Sequence, residues 1–190
     1  TKSRRTVFLV GQGGMGKTTN AVQLMRAGYD LLSEDGPFFI TNNGSAYALS
    51  SLDFLHLTEN TLKLFPELRA RVVGARDHRE KFAVPMNGLQ NDTSWNQPHC
   101  VTHFIQLQRR PDVNAPHIKQ INRNVVHRNL INESMVVFRQ TLFREQGKPF
   151  KSYSEFVLDL LTKVIHGADT YELEYSDHHL DKIPEIISQL

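Results

Sequence analysis

The sequence holds a single cysteine, Cys100, so no internal disulfide can form and the core alone must hold the fold. That scarcity fits a reducing compartment, and a cytoplasmic location is expected. No apolar run approaches the roughly 20 residues needed to cross a bilayer. The N-terminus lacks the apolar centre of a secretory signal, so no membrane partner is expected. An excess of one charge is missing too. Against 22 Lys and Arg stand 20 Asp and Glu, a formal net charge of +2, too little to mark a surface for nucleic acid. The basic residues are scattered, and the short pairs Arg4–Arg5 and Arg109–Arg110 read as solvated surface. Neither an internal repeat nor a long linker is present, so the 190 residues read as one domain. The chain starts at Thr1 without methionine and reaches an apolar strand within five residues. It reads as a domain lacking its upstream part.

What is present begins at that strand. Thr6–Val10 is a continuous apolar run, read as a buried strand. A glycine-rich turn follows at Gly11–Gly16, then a helix from about Lys17 with Ala21, Leu24 and Met25 on one face. Gly28 is placed to stop that helix in a left-handed cap. Tyr29–Ser33 reads as a second strand, which makes a βαβ unit with a parallel sheet. Phe38–Thr41 and Ser45–Leu49 flank Asn42-Asn43-Gly44 as a hairpin. Thr58 is placed to cap a short helix, and another short helical piece begins at Pro66. Glu80–Val84, Val101–Gln108 and Thr170–Tyr175 read as strands. Residues 118 to 144 read as helical with a break near Asn129–Asn132. The spacing of Ser152 and Glu155 predicts the cap of a later helix, and Ile183–Leu190 closes the chain as a helix. The expected fold class is α/β, a mixed sheet flanked by helices around a phosphate loop.

Gly11-Gln12-Gly13-Gly14-Met15-Gly16-Lys17-Thr18 fits G-x-x-x-x-G-K-[ST], placed between an apolar strand and an amphipathic helix. Glycines let successive N–H groups curl around a phosphate without Cβ clashes. The helix aims its positive end at the anion. Lys17 reaches the β- and γ-phosphates, and Thr18 offers a hydroxyl oxygen to Mg²⁺. ATP and Mg²⁺ are therefore expected, held by Gly11, Gly13, Gly14, Met15, Gly16, Lys17, Thr18 and Thr19. Glu34 and Asp35 sit where a neighbouring strand would end at the γ-phosphate. Adjacent strand residues point to opposite faces, so both serve only if the strand ends and twists there. An apolar strand ending in aspartate, the usual second motif of motor and switch ATPases, is missing. Val136-Val137-Phe138 runs into Arg139, and Phe104-Ile105-Gln106-Leu107 into Gln108.

The stretch from Val7 to Asp35, with GQGGMGKTTNAVQLMRAGYDLLSED, resembles the HPr kinase/phosphorylase family, which shares its core with ATP-dependent phosphoenolpyruvate carboxykinase. The likeness continues in Phe54–Thr58, Leu64–Leu68 and Tyr171–Tyr175 with the helix at Ile183–Ile187. It implies an ATP-dependent kinase of a Ser or Thr hydroxyl in a protein or peptide, or of a small hydroxylated molecule, and a possible homo-oligomer. It implies Lys17 on phosphate, Thr18 and Asp35 on the metal and Glu34 as base. Glu34 stands where the family usually carries aspartate, which sets the carboxylate about 1.5 Å further out. The family's glycine-rich signature for the reverse reaction has no counterpart between Thr58 and Arg79, so a one-way kinase is expected. A cation for the leaving group is sought among Arg76, Arg79 and Lys81, with Arg79 preferred.

Two other readings compete. Gly-x-Gly-Gly-x-Gly-Lys-Thr-Thr also resembles the loop of NB-ARC signalling ATPases, a nucleotide-dependent switch. A domain that binds nucleotide without catalysis is the third. His99, Cys100 and His103 lie close together, but zinc needs four ligands and no second pair matches. Cys100 lacks a base partner for nucleophilic work, His178–His179 reads as a solvated turn, and Trp95 as a loop aromatic packed on the domain.

Overall fold

The structure, a computed structural model, describes residues 5–34, 36, 38–42, 45–50, 52–89, 97–142 and 150–190. The chain opens with β1 (Val7–Val10) and α1 (Lys17–Arg26). The hairpin β2 (Phe38–Asn42) and β3 (Ser45–Leu49) follows, then β4 (Phe54–Leu57), α2 (Glu59–Leu64), α3 (Pro66–Arg69) and β5 (Phe82–Pro85). A short β6 (His99–Cys100) precedes β7 (His103–Arg109) and β8 (His117–Gln120). Two long helices, α4 (Arg123–Leu142) and α5 (Phe150–His166), lead to β9 (Asp169–Tyr175). A 3₁₀ helix at Asp177–Lys182 and α6 (Ile183–Ser188) end the chain.

The central sheet has the order β1-β7-β9-β8. β1, β7 and β9 run parallel, and β8 is antiparallel to β9. The fold class is the expected one, a mixed sheet flanked by helices. Successive side chains of β7 go to opposite faces, as the pleat requires. Phe104 enters a core with Val10, Val126, Leu130, Leu161 and Val164, contributed by β1, α4 and α5. Ile105 enters a second core with Leu24, Leu173, Tyr175, Ile183 and Ile187. A third cluster joins Val22 of α1 to Leu55, Leu57, Leu62, Phe65 and Val84. The expected apolar face of α1 was one stripe. Burying Val22 and Leu24 in different cores instead wedges the helix between the sheet and the β4–β5 pair, which fixes the loop that precedes it.

Three expectations change. Tyr29–Ser33 forms no strand. Tyr29 and Leu32 are the buried residues there, and an interval of three cannot alternate between two sheet faces. The parallel partner of β1 is β7. The segment at 118–144 begins as strand β8, and α4 then runs through Asn129–Asn132 without a break. The Asn129 amide donates to Gln106 Oε1 at 2.8 Å, so a tertiary bond replaces the backbone bond with which asparagine competes against helix. Val136–Phe138 lies inside that helix. Finally, α5 starts at Phe150, ahead of the cap expected at Ser152. Other expectations hold: Gly28 stops α1 at φ 87°, and the Thr58 hydroxyl accepts from Thr61 N. The hairpin turn at Asn43-Gly44 and the stop at Gly147–Pro149 lie outside the described residues, as does Trp95. Among the described residues, no helix is long and apolar enough to cross a membrane.

Phe104 is fully buried at the strand next to the loop, its ring 5.2 Å from that of Phe8. Phe104→Ala should cost about 3–5 kcal/mol of stability in urea unfolding. A loss under about 1 kcal/mol would show that this core is not packed as described.

Candidate functional site

β1 delivers the chain to Gly11, and α1 starts at Lys17. Between them the backbone turns left-handed at Gly14 (φ 82°) and Gly16 (φ 79°). The carbonyls of this loop are held by side chains. Lys17 Nζ donates to Gly11 O and, at 3.1 Å, to Gln12 O. Arg109 Nη1 lies 3.4 Å from Gly14 O. The Tyr175 hydroxyl donates to Met15 O at 2.8 Å. Asn20 Nδ2 donates to Gly16 O at 3.0 Å, beside the helical bond from Asn20 N at 2.9 Å. Within the loop Met15 N donates to Gln12 O at 3.2 Å, and a peptide unit whose carbonyl is held on one side offers its N–H on the other. Gly16 caps α1 without any side-chain bond, which leaves first-turn amides of the helix without an intrahelical partner. A Cβ on Gly13 or Gly14 would meet nothing within 4 Å: the space beside the loop is open.

Gly16 is required twice over. Its φ is one that L-residues rarely adopt, and a Cβ there would stand 2.2 Å from the Tyr175 hydroxyl oxygen. Tyr175 and Asn20 are both fully buried and bonded to one another at 2.7 Å. Burial pushes the Tyr175 phenol up from its ordinary pKa, so it remains a neutral donor to the loop. These supports went unnoticed in the sequence. Tyr175 read as a strand residue and Arg109 as solvated surface. The register of β7 with β9, which pairs Arg109 with Tyr175, places both beside the loop.

On the other side of the loop, Lys17, Thr18 and Glu34 line one cleft of about 150 Å³. Its remaining wall is mostly apolar, with Val7, Leu9, Leu31, Leu55 and Leu130. The Glu34 side chain is 5% exposed. Its Oε2 accepts from His56 N at 2.7 Å and lies 3.3 Å from His56 Nδ1, while Oε1 lies 3.6 Å from Lys81 Nζ. The antiparallel β4–β5 pair brings both neighbours, since His56 sits opposite Ala83 in its register. Asp35 lies outside the described residues.

The basic cluster is ordered by Asp77, whose Oδ1 accepts from Arg79 N at 2.8 Å and Lys81 N at 2.9 Å. The Lys81 bond first, and the Arg79 bond with it, hold this carboxyl below its ordinary pKa. Of the three basic residues considered, Lys81 faces Glu34. Arg76 bonds Glu80 at 2.8 Å and lies over the Phe82 ring at 5.0 Å. Arg79 is exposed on the turn. The Thr19 hydroxyl turns to Thr61 at 3.3 Å, which leaves its backbone amide as its offer to a ligand. His99 and Cys100 sit on β6 and His103 on β7, its ring 2.7 Å from the Thr102 hydroxyl. Among the described residues, no three of His, Cys, Asp and Glu gather as a metal site.

Gly16→Ala should unfold at lower denaturant, since the left-handed backbone alone costs roughly 1–2 kcal/mol and the Tyr175 hydroxyl must also move. Tyr175→Phe leaves the Met15 carbonyl without its donor, at a cost of about 1–3 kcal/mol. The double variant removes both the clash and the bond, so its loss should fall well short of the two single losses added. Strict additivity would contradict the packing of Tyr175 on Gly16.

No family model matches the chain, and no curated protein matches it. Among solved structures it is similar to the HPr(Ser) kinase/phosphatase from Coxiella burnetii, at 12% identity with a TM-score of 0.44, over 98% of this chain and 87% of that one. The similarity concerns the path of the chain and assigns no residue a role.

Proposed function

We propose that the chain binds ATP with Mg²⁺ at Gly11–Thr19 and transfers the γ-phosphoryl group to a Ser or Thr hydroxyl of a protein or peptide. The observation that carries this reading is the shared cleft: Glu34 lines the same cleft as the loop's Lys17 and Thr18. The resemblance of residues 7–35 to HPr kinases points the same way. In the reaction the acceptor oxygen attacks the γ-phosphorus, and the bond from that phosphorus to the β,γ-bridging oxygen breaks. Glu34 takes the hydroxyl proton, and ADP leaves. Inward-turned amides and Lys17 bear the charge that builds on the phosphate oxygens. The Thr18 hydroxyl on the open side of the loop suits a hard cation; Thr18 and Asp35 would hold Mg²⁺, which would neutralise phosphate charge. Arg79 is retained as a leaving-group cation, with Lys81, beside Glu34, its rival for that role.

A second reading has its own support. The Glu34 carboxylate accepts from His56 N at 2.7 Å and lies 3.6 Å from Lys81 Nζ. A domain that binds nucleotide without transferring phosphate would carry such a held carboxylate.

The test is incubation with ATP labelled in the γ-phosphate, Mg²⁺ and a Ser/Thr peptide library, followed by mass spectrometry for one added phosphoryl group. Transfer is expected. Tight ATP binding without any transfer would replace the kinase by the second reading. Glu34→Gln should reduce transfer by about 10²–10⁴-fold with ATP affinity nearly unchanged; retained transfer would remove Glu34 as the base. Lys17→Ala should abolish both binding and transfer, and undiminished ATP binding in that variant would contradict the loop's role.

A further inference from the structure

Arg109 belongs to neither the loop nor the expected cationic cluster, yet it reaches the loop. β7 is the strand beside β1, and Val10 lies opposite Gln106 in their register. Arg109 therefore extends three residues past that pair, about 10 Å along the strand, to the height of the loop itself. Strands in this position carry an aspartate in many ATPases; here the strand ends in an arginine. One arm of the guanidinium lies 3.4 Å from Gly14 O. The other is bonded to the carboxylate of Asp177, the first residue of the 3₁₀ helix after β9. Both side chains are close to half exposed, at 44% and 45%, and an exposed ion pair of this kind is weakly held. An arginine offers a planar fork that fits phosphate oxygens, and a phosphate carries more charge than a carboxylate.

We propose that Arg109 is a phosphate-binding residue that exchanges its Asp177 partner for the bound polyphosphate, keeping the Gly14 carbonyl on its other arm. The proposal rests on the loop being the nucleotide site. Asp177 then acts as a competing counter-ion: it holds the guanidinium beside the loop until a polyphosphate displaces it. The charges near the nucleotide favour this exchange. Glu34 and Asp177 add negative charge around the site, while Lys81 lies against Glu34 and Arg76 against Glu59 and Glu80. Lys17 and Arg109 are two cations bonded to loop carbonyls, and both can turn a positive group toward the polyphosphate.

The experiment is calorimetric titration of the whole chain with ATP·Mg²⁺ at low and high salt, for the wild type, Arg109→Gln, Asp177→Asn and the double variant. Saturable binding by the wild type, lost in Lys17→Ala, first establishes the loop as the site; its absence would overturn the loop reading and this proposal together. Given that binding, Arg109→Gln should weaken it roughly tenfold to a hundredfold, the value of a charged hydrogen bond. Glutamine is too short to reach Gly14 O, so an unchanged melting temperature would show that the loop holds its shape without that contact and that the lost charge weakens binding. Asp177→Asn should tighten binding severalfold, and the double variant should match Arg109→Gln alone, because Asp177 acts only through Arg109. The difference between wild type and Arg109→Gln should shrink at high salt. Unchanged affinity in Arg109→Gln would overturn the proposal. So would weaker binding in Asp177→Asn, which would make Asp177 an orienting partner instead of a competitor. Should Arg109→Gln melt earlier, Arg109→Lys decides: affinity near wild type supports a charge contact, and a full loss overturns it.

Discussion

Everything at this site depends on which way five peptide units face. A loop that grips an anion must present N–H groups to it, and each unit that does so presents its carbonyl away from it. In this chain the carbonyls of Gly11, Gln12, Gly14, Met15 and Gly16 are received by Lys17, Arg109, Tyr175 and Asn20. The glycines permit the turns, but the side chains around them select the turn that is adopted. Tyr175 and Asn20 are buried and bonded to each other, so the loop's shape is tied to the packing of α1 on the second core. The loop proposed to bind phosphate is thus shaped by the same contacts that hold the sheet together.

The chemistry opposite the loop is arranged by a separate unit. Glu34 is neither on the loop nor on a strand of the central sheet, and its position comes from the β4–β5 pair through His56 and Lys81. That pair packs on α1 through Val22. One helix therefore connects the amides that would bind phosphate to the carboxylate that would accept a proton, with Lys17 and Thr18 at its start. The mostly apolar wall of the cleft keeps the effective dielectric low between these groups, which strengthens every charge interaction there.

Much of this was legible locally. The phosphate loop is eight consecutive residues with a strand before and a helix after, so the pattern and its context share one short stretch. Glu34 was found the same way, close to the loop in sequence. The supports were not legible, because Tyr175 and Arg109 reach the loop only through the order β1-β7-β9, and strand order is a long-range property. Arg109 is exposed, as a charged pair after a strand usually is, and what the sequence did not show is its approach to Gly14 O. The expected strand at Tyr29–Ser33 failed because an apolar run fits a buried segment of any shape, and the burial interval of three becomes visible only in the fold. The expected break in α4 failed because asparagine was weighed for its local habits, while Asn129 is engaged with Gln106 across the core.

The claim beneath the rest is that the loop amides face a bound polyphosphate. Backbone amide resonances of Gly13–Thr18, followed by NMR while ATP·Mg²⁺ is added, test it directly. The account predicts large, saturable shifts at these amides and at Arg109, with small changes in α4 and α5. Loop resonances that stay in place while ATP perturbs other parts of the chain, or none, would contradict it.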